Sequence, residues 1–322
     1  MVYSPISYTP FCATWFRFTV ILLLLVFTEI LNAQTSEYKH PATYALVVGI
    51  SDYQHEGITD LDFADRDAGI FASWLQSPSG GLVPPNHIVF LKNEEATHTA
   101  IYHALDWLID SCKKNDTVYI FFSGHGDVEN NDVYKDGFLL TYNTPRQNYL
   151  NFSLSVGDLN FYANYLTLQT QAQLILITDA CHSGFLAGNA IKGKYLVAEQ
   201  MRMILNKEIR LNSCTGEQLS NEDKDWGGGR GIFSYYLING LNGLADQEKD
   251  KKISMREIQH YVDSCMHDDP LLKAQRKKQT PVFSGNNDFI LAQVDSSALK
   301  QIQNESSLQL TAMAVSPPAY AL

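Results

Sequence analysis

The chain has 322 residues, a formal net charge of −11, 45% hydrophobic and 18% charged residues, enough for one large domain or two small ones. It contains no block rich in lysine and arginine, so we expect no nucleic-acid partner. The acidic balance mildly favours basic ligands.

Residues 1–33 have the layout of an export signal. Arg17 is the one charged residue before the apolar run 18–27, and small Ala33 is a candidate cleavage residue. The run is shorter than the roughly 20 residues that a membrane-spanning helix needs. We therefore expect an exported protein, periplasmic or extracellular, with a membrane association only if this segment stays uncleaved.

From residue 42 onward, strand and helix patterns alternate. Apolar runs predict strands at 44–50, 87–91, 117–122, 173–178 and 209–213, and weaker patterns suggest strands at 137–142 and 288–292. Helical spacing of apolar residues predicts helices at 61–76, 97–112, 155–168, 231–243 and 254–266, the second capped by Thr97. The alternation predicts an α/β fold with a mostly parallel central sheet of about six strands and helices on both faces.

We expect a signal peptide at 1–33, a folded domain at 34–295 and a Ser/Gln-rich tail or linker at 296–322. Within the domain, residues 186–206 are long for a connection between neighbouring strands. The wider stretch 185–206 carries three basic residues, Lys192, Lys194 and Arg202. This pattern indicates a functional or cleavable loop.

Two strands end in polar clusters. The strand at 117–122 leads into Ser-Gly-His-Gly-Asp, which contains His125, and the strand at 173–178 leads into Asp-Ala-Cys-His-Ser-Gly, which contains Cys181. Active sites and ligand-binding sites of parallel sheets lie at the carboxyl ends of the strands. A cysteine thiolate is a nucleophile that needs a nearby imidazole to transfer protons. His125 and Cys181 are therefore candidates for a catalytic pair. Since no Cys-x-x-Cys occurs, we expect no thiolate-rich zinc site.

These clusters belong to a series of blocks between about residues 42 and 265: YALVVGISDY, LDFADRDA, YIFFSGHGD, ITDACHSG and GGGRGIFSYYLINGLNGLAD. In this order they resemble the caspase-like cysteine peptidases of the caspase–hemoglobinase fold, and among them the bacterial metacaspase-like members. The resemblance implies a caspase-like three-layer αβα domain, large-subunit-like over 42–185 and small-subunit-like over 207–295. It also implies a cysteine endopeptidase.

By this resemblance, Cys181 attacks the scissile carbonyl and His125 protonates the leaving amine. The backbone N–H groups of Gly126 and Cys181 would hold the oxyanion, and one such donor is worth on the order of 100- to 1000-fold in rate. His182 follows the nucleophile directly, but adjacent side chains diverge, so we do not expect it to be the base.

Substrate preference follows from Asp179, two residues before Cys181. A buried unpaired carboxylate is costly, and a cationic substrate side chain would offset that cost. In metacaspases the matching Asp forms the pocket for the residue before the cleaved bond, and Asp67 matches a second acidic pocket residue. The caspase arginine that selects aspartate falls on Leu61 here. We expect cleavage after Arg or Lys, with Ser213 also lining the pocket.

Simpler roles stay open for these pocket residues. Asp179 would otherwise be a cap or turn residue, Asp67 a charge at a helix N-terminus, and Ser213 part of a surface turn.

No cofactor is expected to be required, and calcium is left open. Asp246, Glu248, Asp250 and Glu257 have the acidic spacing of an EF-hand loop, but Lys251 stands where glycine is needed. A solvated turn before a helix is the favoured interpretation. Asp127, Asp132 and Asp136 lie where some metacaspases bind calcium, although the resemblance there is poor.

The leading hypothesis is an exported thiol protease, made as a zymogen, self-processing in the 185–206 loop and monomeric rather than an obligate dimer. Its partners would be polypeptide substrates with Arg or Lys before the cleaved bond. The alternative is a catalytically silent caspase-like scaffold or binding module.

Overall fold

The computed structural model describes residues 41–128, 137–180, 208–215, 218–300 and 302. The chain divides between His40 and Pro41, and every described residue lies in the second unit, Pro41–Leu322. The predicted signal peptide, the loop at 186–206 and nearly all of the predicted tail beyond residue 300 lie outside the described residues. Within the described part of the chain, no helix is long and apolar enough to cross a membrane.

The central sheet has six strands among the described residues. They are β1 (Thr43–Gly49), β2 (Ile88–Lys92), β3 (Thr117–Ser123), β7 (Gln173–Asp179), β8 (Glu208–Asn212) and β12 (Val282–Ser284). Their order is β12-β8-β7-β3-β1-β2, and every neighbouring pair is parallel except β12 with β8. The predicted α/β class with a mostly parallel sheet is confirmed.

The edge strand β12 was not predicted. It has only three residues, Val-Phe-Ser, too few to give a periodic pattern. The strand expected at 288–292 exists as β13 (Ile290–Gln293), but it pairs with β11 (Lys252–Ser254) in a separate two-stranded sheet. The position of such a short strand is determined by the strand it pairs with in the tertiary structure, not by a pattern in its own sequence.

Each of the five predicted helices is present, whereas the short helices at Tyr149–Phe152 and Pro270–Ala274 were not predicted. The named α-helices are α1 (Ala64–Gln76), α2 (His98–Ser111), α3 (Tyr149–Phe152), α4 (Val156–Asn164), α5 (Ile232–Asn239), α6 (Met255–Asp268) and α7 (Pro270–Ala274). Residues 296–300, at the start of the predicted tail, are also helical. Single π-helical turns extend α4 over Tyr165–Gln169 and α5 over Gly240–Leu244. The Thr97 hydroxyl accepts from Ala100 N at 3.3 Å, which is the predicted N-cap of α2.

Alternating residues of β1 pack into two hydrophobic cores, one on each face of the sheet. Leu46 and Val48 belong to the core that includes residues of α2 and α4, whereas Ala45 and Val47 belong to the core that includes residues of α1, α5 and α6. Because β1 is covered on both faces, its sequence is a continuous apolar run. Full burial of one large apolar side chain contributes about 1.5–3 kcal/mol, so these two cores stabilise the sheet from both faces.

Five short strands follow the carboxyl ends of β3 and β8 along the chain. β4 (Gly126–Val128) and β5 (Gly137–Leu139) pair antiparallel, and β6 (Leu154–Ser155) extends them into a three-stranded sheet. The strand expected at 137–142 is therefore present but shorter. β9 (Glu222–Asp223) and β10 (Arg230–Gly231) form a separate antiparallel pair before α5.

Helix α1 packs directly across the end of β1, and Gly49 makes this possible. A Cβ atom built at Gly49 would lie 2.4 Å from the Ala68 Cβ and 2.7 Å from the Ala64 carbonyl oxygen. Any side chain at this position would push the helix away from the sheet. Gly69, within α1, has only a 3.7 Å contact with Phe90 in the same test.

We expect Gly49→Ala to lower the free energy of unfolding by about 1–3 kcal/mol, because an added methyl group in a packed contact forces the backbone to shift. The matched control, Gly69→Ala, should be neutral or stabilising by up to about 1 kcal/mol, since alanine favours the helix. Urea unfolding of both variants measures the difference. Equal stability of the two variants would contradict this account of the contact between α1 and β1.

Candidate active site

The strands β3 and β7 are neighbours, and their carboxyl ends meet at one edge of the sheet. Ser123 pairs with Asp179 in the parallel register, and Gly124 N donates to Asp179 O at 3.1 Å. His125 comes two residues after Ser123, and Cys181 comes two residues after Asp179. The two predicted clusters therefore follow adjacent strands in matching positions. Cys181 and His182 themselves lie outside the described residues.

His125 is buried, and both its ring and its backbone make a hydrogen-bonding contact. Its Nε2 lies 2.7 Å from the carbonyl oxygen of Thr59, and its backbone N–H donates to the Tyr53 hydroxyl at 2.8 Å. Since a carbonyl can only accept, we assign the ring hydrogen to Nε2. Nδ1 is then the nitrogen able to accept and return a proton. The ring centroids of His125 and Tyr53 are 5.0 Å apart, which further restrains the imidazole.

The sequence did not single out Thr59 or Tyr53. Thr59 acts through a main-chain carbonyl, which every residue has, so its side chain gives no sign of this role. Tyr53 does stand in the block YALVVGISDY, and it is 94% buried (6% exposed) with its hydroxyl aimed at the His125 backbone. A buried tyrosine usually has such a polar partner.

Gly126 is the first residue of β4, next to His125. Its β-partner is Leu139, and Leu140 N donates to His125 O at 2.9 Å. Asp127 is buried and accepts from the Tyr149 hydroxyl at 3.2 Å. The His125 loop is thus fastened to the small sheet on one side and to Thr59 and Tyr53 on the other.

Asp179 is the last residue of β7 and is 1% exposed. Its Oδ2 accepts from the Ser234 hydroxyl at 2.9 Å, whereas Oδ1 has no well-formed hydrogen bond among the described residues. Burial raises the pKa of this carboxyl group, and the hydroxyls of Ser220, Ser234 and Ser213 oppose the rise. A buried carboxylate with an oxygen to spare can bind a cation or a hydrogen-bond donor.

Ser213 follows β8 directly and is fully buried, so it is not part of a surface turn. Its backbone N donates to Thr178 O at 2.9 Å, and its hydroxyl is hydrogen-bonded to that of Ser220. Gln279 holds the same strand end, donating to Ser213 O at 2.9 Å. The two serines lie beside Asp179 and face it.

Asp67 is buried in the first turns of α1, 2% exposed. Its Oδ1 accepts from Arg230 Nε at 2.8 Å, and its Oδ2 accepts from Gly231 N at 2.7 Å. Burial raises the pKa of Asp67 to about 7, with Arg230 opposing the rise and Asp179 adding to it. A Cβ atom at Gly231 would lie 2.9 Å from an Asp179 oxygen and 3.0 Å from an Asp67 oxygen, so the two acids are close together.

Arg230, Ser234 and Glu222 also belong to this region, and the sequence did not assign them. Arg230 and Ser234 belong to the block GGGRGIFSYY, in which the run of glycines indicates a loop but gives no role to either side chain. Glu222 accepts from Asp62 N at 2.9 Å and Phe63 N at 3.0 Å, which caps the start of α1. Burial raises the pKa of the Glu222 carboxyl group.

The described residues contain no group of three His, Cys, Asp or Glu side chains that could hold a metal ion. Asp246 accepts from the backbone N–H groups of Asp250 and Lys251, both at 3.1 Å. Glu257 accepts from Ser254 N at 2.9 Å as part of the capping box of α6. These carboxylates thus bind their own turn. Asp132 and Asp136 lie outside the described residues.

Two of the cysteines are free thiols, Cys112 and Cys265, whereas Cys214 is disulfide-bonded. Thr178 pairs with Asn212, so Cys214 follows β8 at the level where Ala180 follows β7. Cys181 is the next residue after Ala180 along the chain. Activity assays accordingly need a reducing agent.

Comparisons with known proteins agree with this geometry. A family model described as the caspase domain matches residues 42–289, a range that includes the whole central sheet and the positions of His125 and Cys181. No curated protein matches the chain.

Among solved structures, protein GSU0716 from Geobacter sulfurreducens is similar, with a TM-score of 0.51 and 18% sequence identity over 80% of this chain and 97% of that chain. At this identity the likeness concerns the fold alone. The family match and the sheet topology agree: the chain belongs to the caspase-domain family of cysteine peptidases.

Proposed function

We propose that the chain is a cysteine endopeptidase that cleaves polypeptides after arginine or lysine, with His125 and Cys181 as its catalytic dyad. The observation that carries the proposal is the buried carboxylate of Asp179. It ends β7 two residues before Cys181, and one of its oxygens lacks a well-formed hydrogen bond among the described residues.

In this mechanism the Nδ1 atom of His125 takes the proton of the Cys181 thiol. The thiolate attacks the carbonyl carbon of the scissile bond, and the N–H groups of Gly126 and Cys181 stabilise the oxyanion. His125 then gives its proton to the leaving amine as the C–N bond breaks. Water hydrolyses the remaining thioester. The contact between Nε2 and Thr59 O supports these roles, because it favours the Nε2–H tautomer of the neutral ring and leaves Nδ1 to take the proton and return it.

The charge around Asp179 supports the basic specificity. Among the described residues, three serine hydroxyls act on the pKa of Asp179, and Asp179 in turn raises the pKa of the acids Asp67 and Glu222. The cation Arg230 is bonded to Asp67. A substrate guanidinium or ammonium group would supply the missing positive charge, and arginine can bind bidentately. Leu61, at the position where caspases carry their aspartate-selecting arginine, has no charge to attract an acidic side chain.

The wild-type protein should cleave a peptide with arginine before the scissile bond at least about 100-fold better than the same peptide with neutral citrulline, because a desolvated charge pair contributes several kcal/mol. Asp179→Asn should remove this preference, and Cys181→Ala should abolish cleavage of both peptides. Values of kcat/KM measured under reducing conditions give the ratio.

The control is Asp288→Asn, which removes an exposed carboxylate paired with Arg256. It should keep the wild-type ratio. Faster cleavage after aspartate than after arginine, or an Asp179→Asn enzyme that still prefers arginine, would rule out this pocket. A folded wild-type protein with no cleavage of any peptide would favour the silent scaffold.

The preference for arginine over citrulline should rise with pH. Burial raises the pKa of Asp179, so its ionised form appears above the ordinary aspartate range as the pH increases. Arginine keeps its charge throughout. The ionisation of His125 and Cys181 affects both peptides equally and cancels in the ratio. Measuring the ratio from about pH 4 to about pH 9 tests this, since Asp179→Asn should give a flat line.

We further propose that the protein processes itself in the 185–206 loop, where Lys192, Lys194 and Arg202 fit the same specificity. Incubated wild-type protein should yield fragments ending at one or more of these residues, as measured by intact mass. Cys181→Ala should stay whole. Parallel samples with calcium or with a chelator decide whether the reaction needs the ion. A wild-type chain that stays intact in both samples would exclude self-processing.

A further inference from the structure

Asp67 has both of its carboxylate oxygens engaged by a single turn of the chain. Oδ1 accepts from Arg230 Nε at 2.8 Å and Oδ2 accepts from Gly231 N at 2.7 Å. Asp67 and Arg230 are 2% and 5% exposed. A buried, hydrogen-bonded ion pair of this kind resists rearrangement, because separating it would leave a charge in a poorly solvated site. Little of the Asp67 carboxylate remains to contact a substrate.

The same arginine links Asp67 to Asp179. Arg230 Nη2 donates to Ser234 O at 3.0 Å, and the Ser234 hydroxyl donates to Asp179 Oδ2 at 2.9 Å. Arg230 therefore holds the first turn of α5, and that turn holds Asp179. The hydrogen bonds run from α1 to the end of β7 by way of Arg230 and Ser234.

The segment before Arg230 needs such an anchor. Gly227, Gly228 and Gly229 have φ values of +58°, +76° and +114°, a conformation that glycine adopts easily but that gives the backbone wide freedom. Arg66 donates to the carbonyls of Gly227 and Gly228, which fixes the start of the turn. The ion pair of Asp67 with Arg230 fixes its end.

The formal charges of the buried groups near Gly231 can be added. Two buried carboxylates, Asp67 and Asp179, lie near Gly231, and one internal cation, Arg230, is bonded to the first of them. With both acids ionised, one negative charge remains among these three residues, and it resides on Asp179. Glu222, which is only half-buried, is also near, but its two oxygens already accept from Asp62 N and Phe63 N. The pocket can therefore accept one cationic side chain.

We infer that Asp67 is a positioning residue that acts through Arg230, and that Asp179 alone binds the cationic side chain of the substrate. This inference rests on the proposed function. The family resemblance would place both acids in the substrate pocket. Here we assign them different roles: Asp67 is neutralised by Arg230, and Asp179 binds the substrate.

The test compares Asp67→Asn with the double variant Asp67→Asn/Arg230→Gln. The single change leaves the Arg230 guanidinium without its carboxylate, so Arg230 turns to Asp179 and competes with the substrate. The ratio of kcat/KM for arginine over citrulline should fall at least about 30-fold, as expected when a buried charge loses its partner. The double variant has no such cation, and its ratio should return to within about threefold of the wild-type value.

The matched control is Asp67→Asn/Arg66→Gln, which removes a different cation from the same loop and should not restore the ratio. The assays are run at about pH 8, because burial raises the pKa of both acids, that of Asp67 to about 7, and a higher pH favours their ionised forms. If the double variant Asp67→Asn/Arg230→Gln loses the arginine preference as fully as Asp179→Asn does, then Asp67 contacts the substrate and the inference is wrong. Should Asp67→Asn fail to fold, the double variant and Asp179→Asn still decide.

A second readout does not depend on cleavage. Agmatine, a small guanidinium compound, should raise the melting temperature of the wild type and of the double variant Asp67→Asn/Arg230→Gln, but not that of Asp179→Asn. If the wild type cleaves no peptide yet agmatine gives this pattern, the proposed peptidase activity fails and the assignment of the two acids stands. If agmatine stabilises none of the proteins, the assignment falls as well.

Discussion

The pairing of β3 with β7 is the constraint on which the site depends. Ser123 lies opposite Asp179, and the hydrogen bond from Gly124 N to Asp179 O carries the pairing one residue beyond the strand. Parallel strands bring their carboxyl ends to one edge, so residues far apart in sequence meet there. A slip of one residue in this register would turn Asp179 toward the opposite face of the sheet and separate the two motifs.

Buried charge is the second organising feature. Asp67, Asp179 and Arg230 all lie below a tenth exposed, and each is bonded to a neighbouring group: Arg230 to Asp67, Gly231 N to Asp67, and the Ser234 hydroxyl to Asp179. Such a network is stable only when its members are paired or hydrogen-bonded. Among the described residues, Oδ1 of Asp179 is the carboxylate oxygen of this network without a well-formed partner, and Asp179 comes two residues before Cys181 in the sequence. The same few buried groups therefore connect α1, α5 and the end of β7.

Sequence patterns predicted the long elements well and the short ones poorly. The apolar runs of β1, β3 and β7 identified buried strands, because strands covered on both faces are apolar throughout. The three-residue β12 is too short to show a periodic pattern of apolar residues. The strand β13 pairs with β11, which directly precedes α6, and so does not join the central sheet. Among the site residues, His125 and Asp179 stood out as polar groups at strand ends, whereas Thr59 contributes a carbonyl that no sequence pattern reports.

The sequence by itself determined the class of fold, the two polar motifs and their order, since hydrophobic periodicity and residue chemistry are local properties. Only the tertiary structure decided that Asp67 faces Arg230, that Ser234 supports Asp179, and that Thr59 orients His125. These contacts join segments separated by 163, 55 and 66 positions along the chain. Which distant groups meet, and which charges are thereby neutralised, depends on strand order and on close approaches such as that at Gly49, because electrostatic and hydrogen-bonding partners are chosen by distance in space.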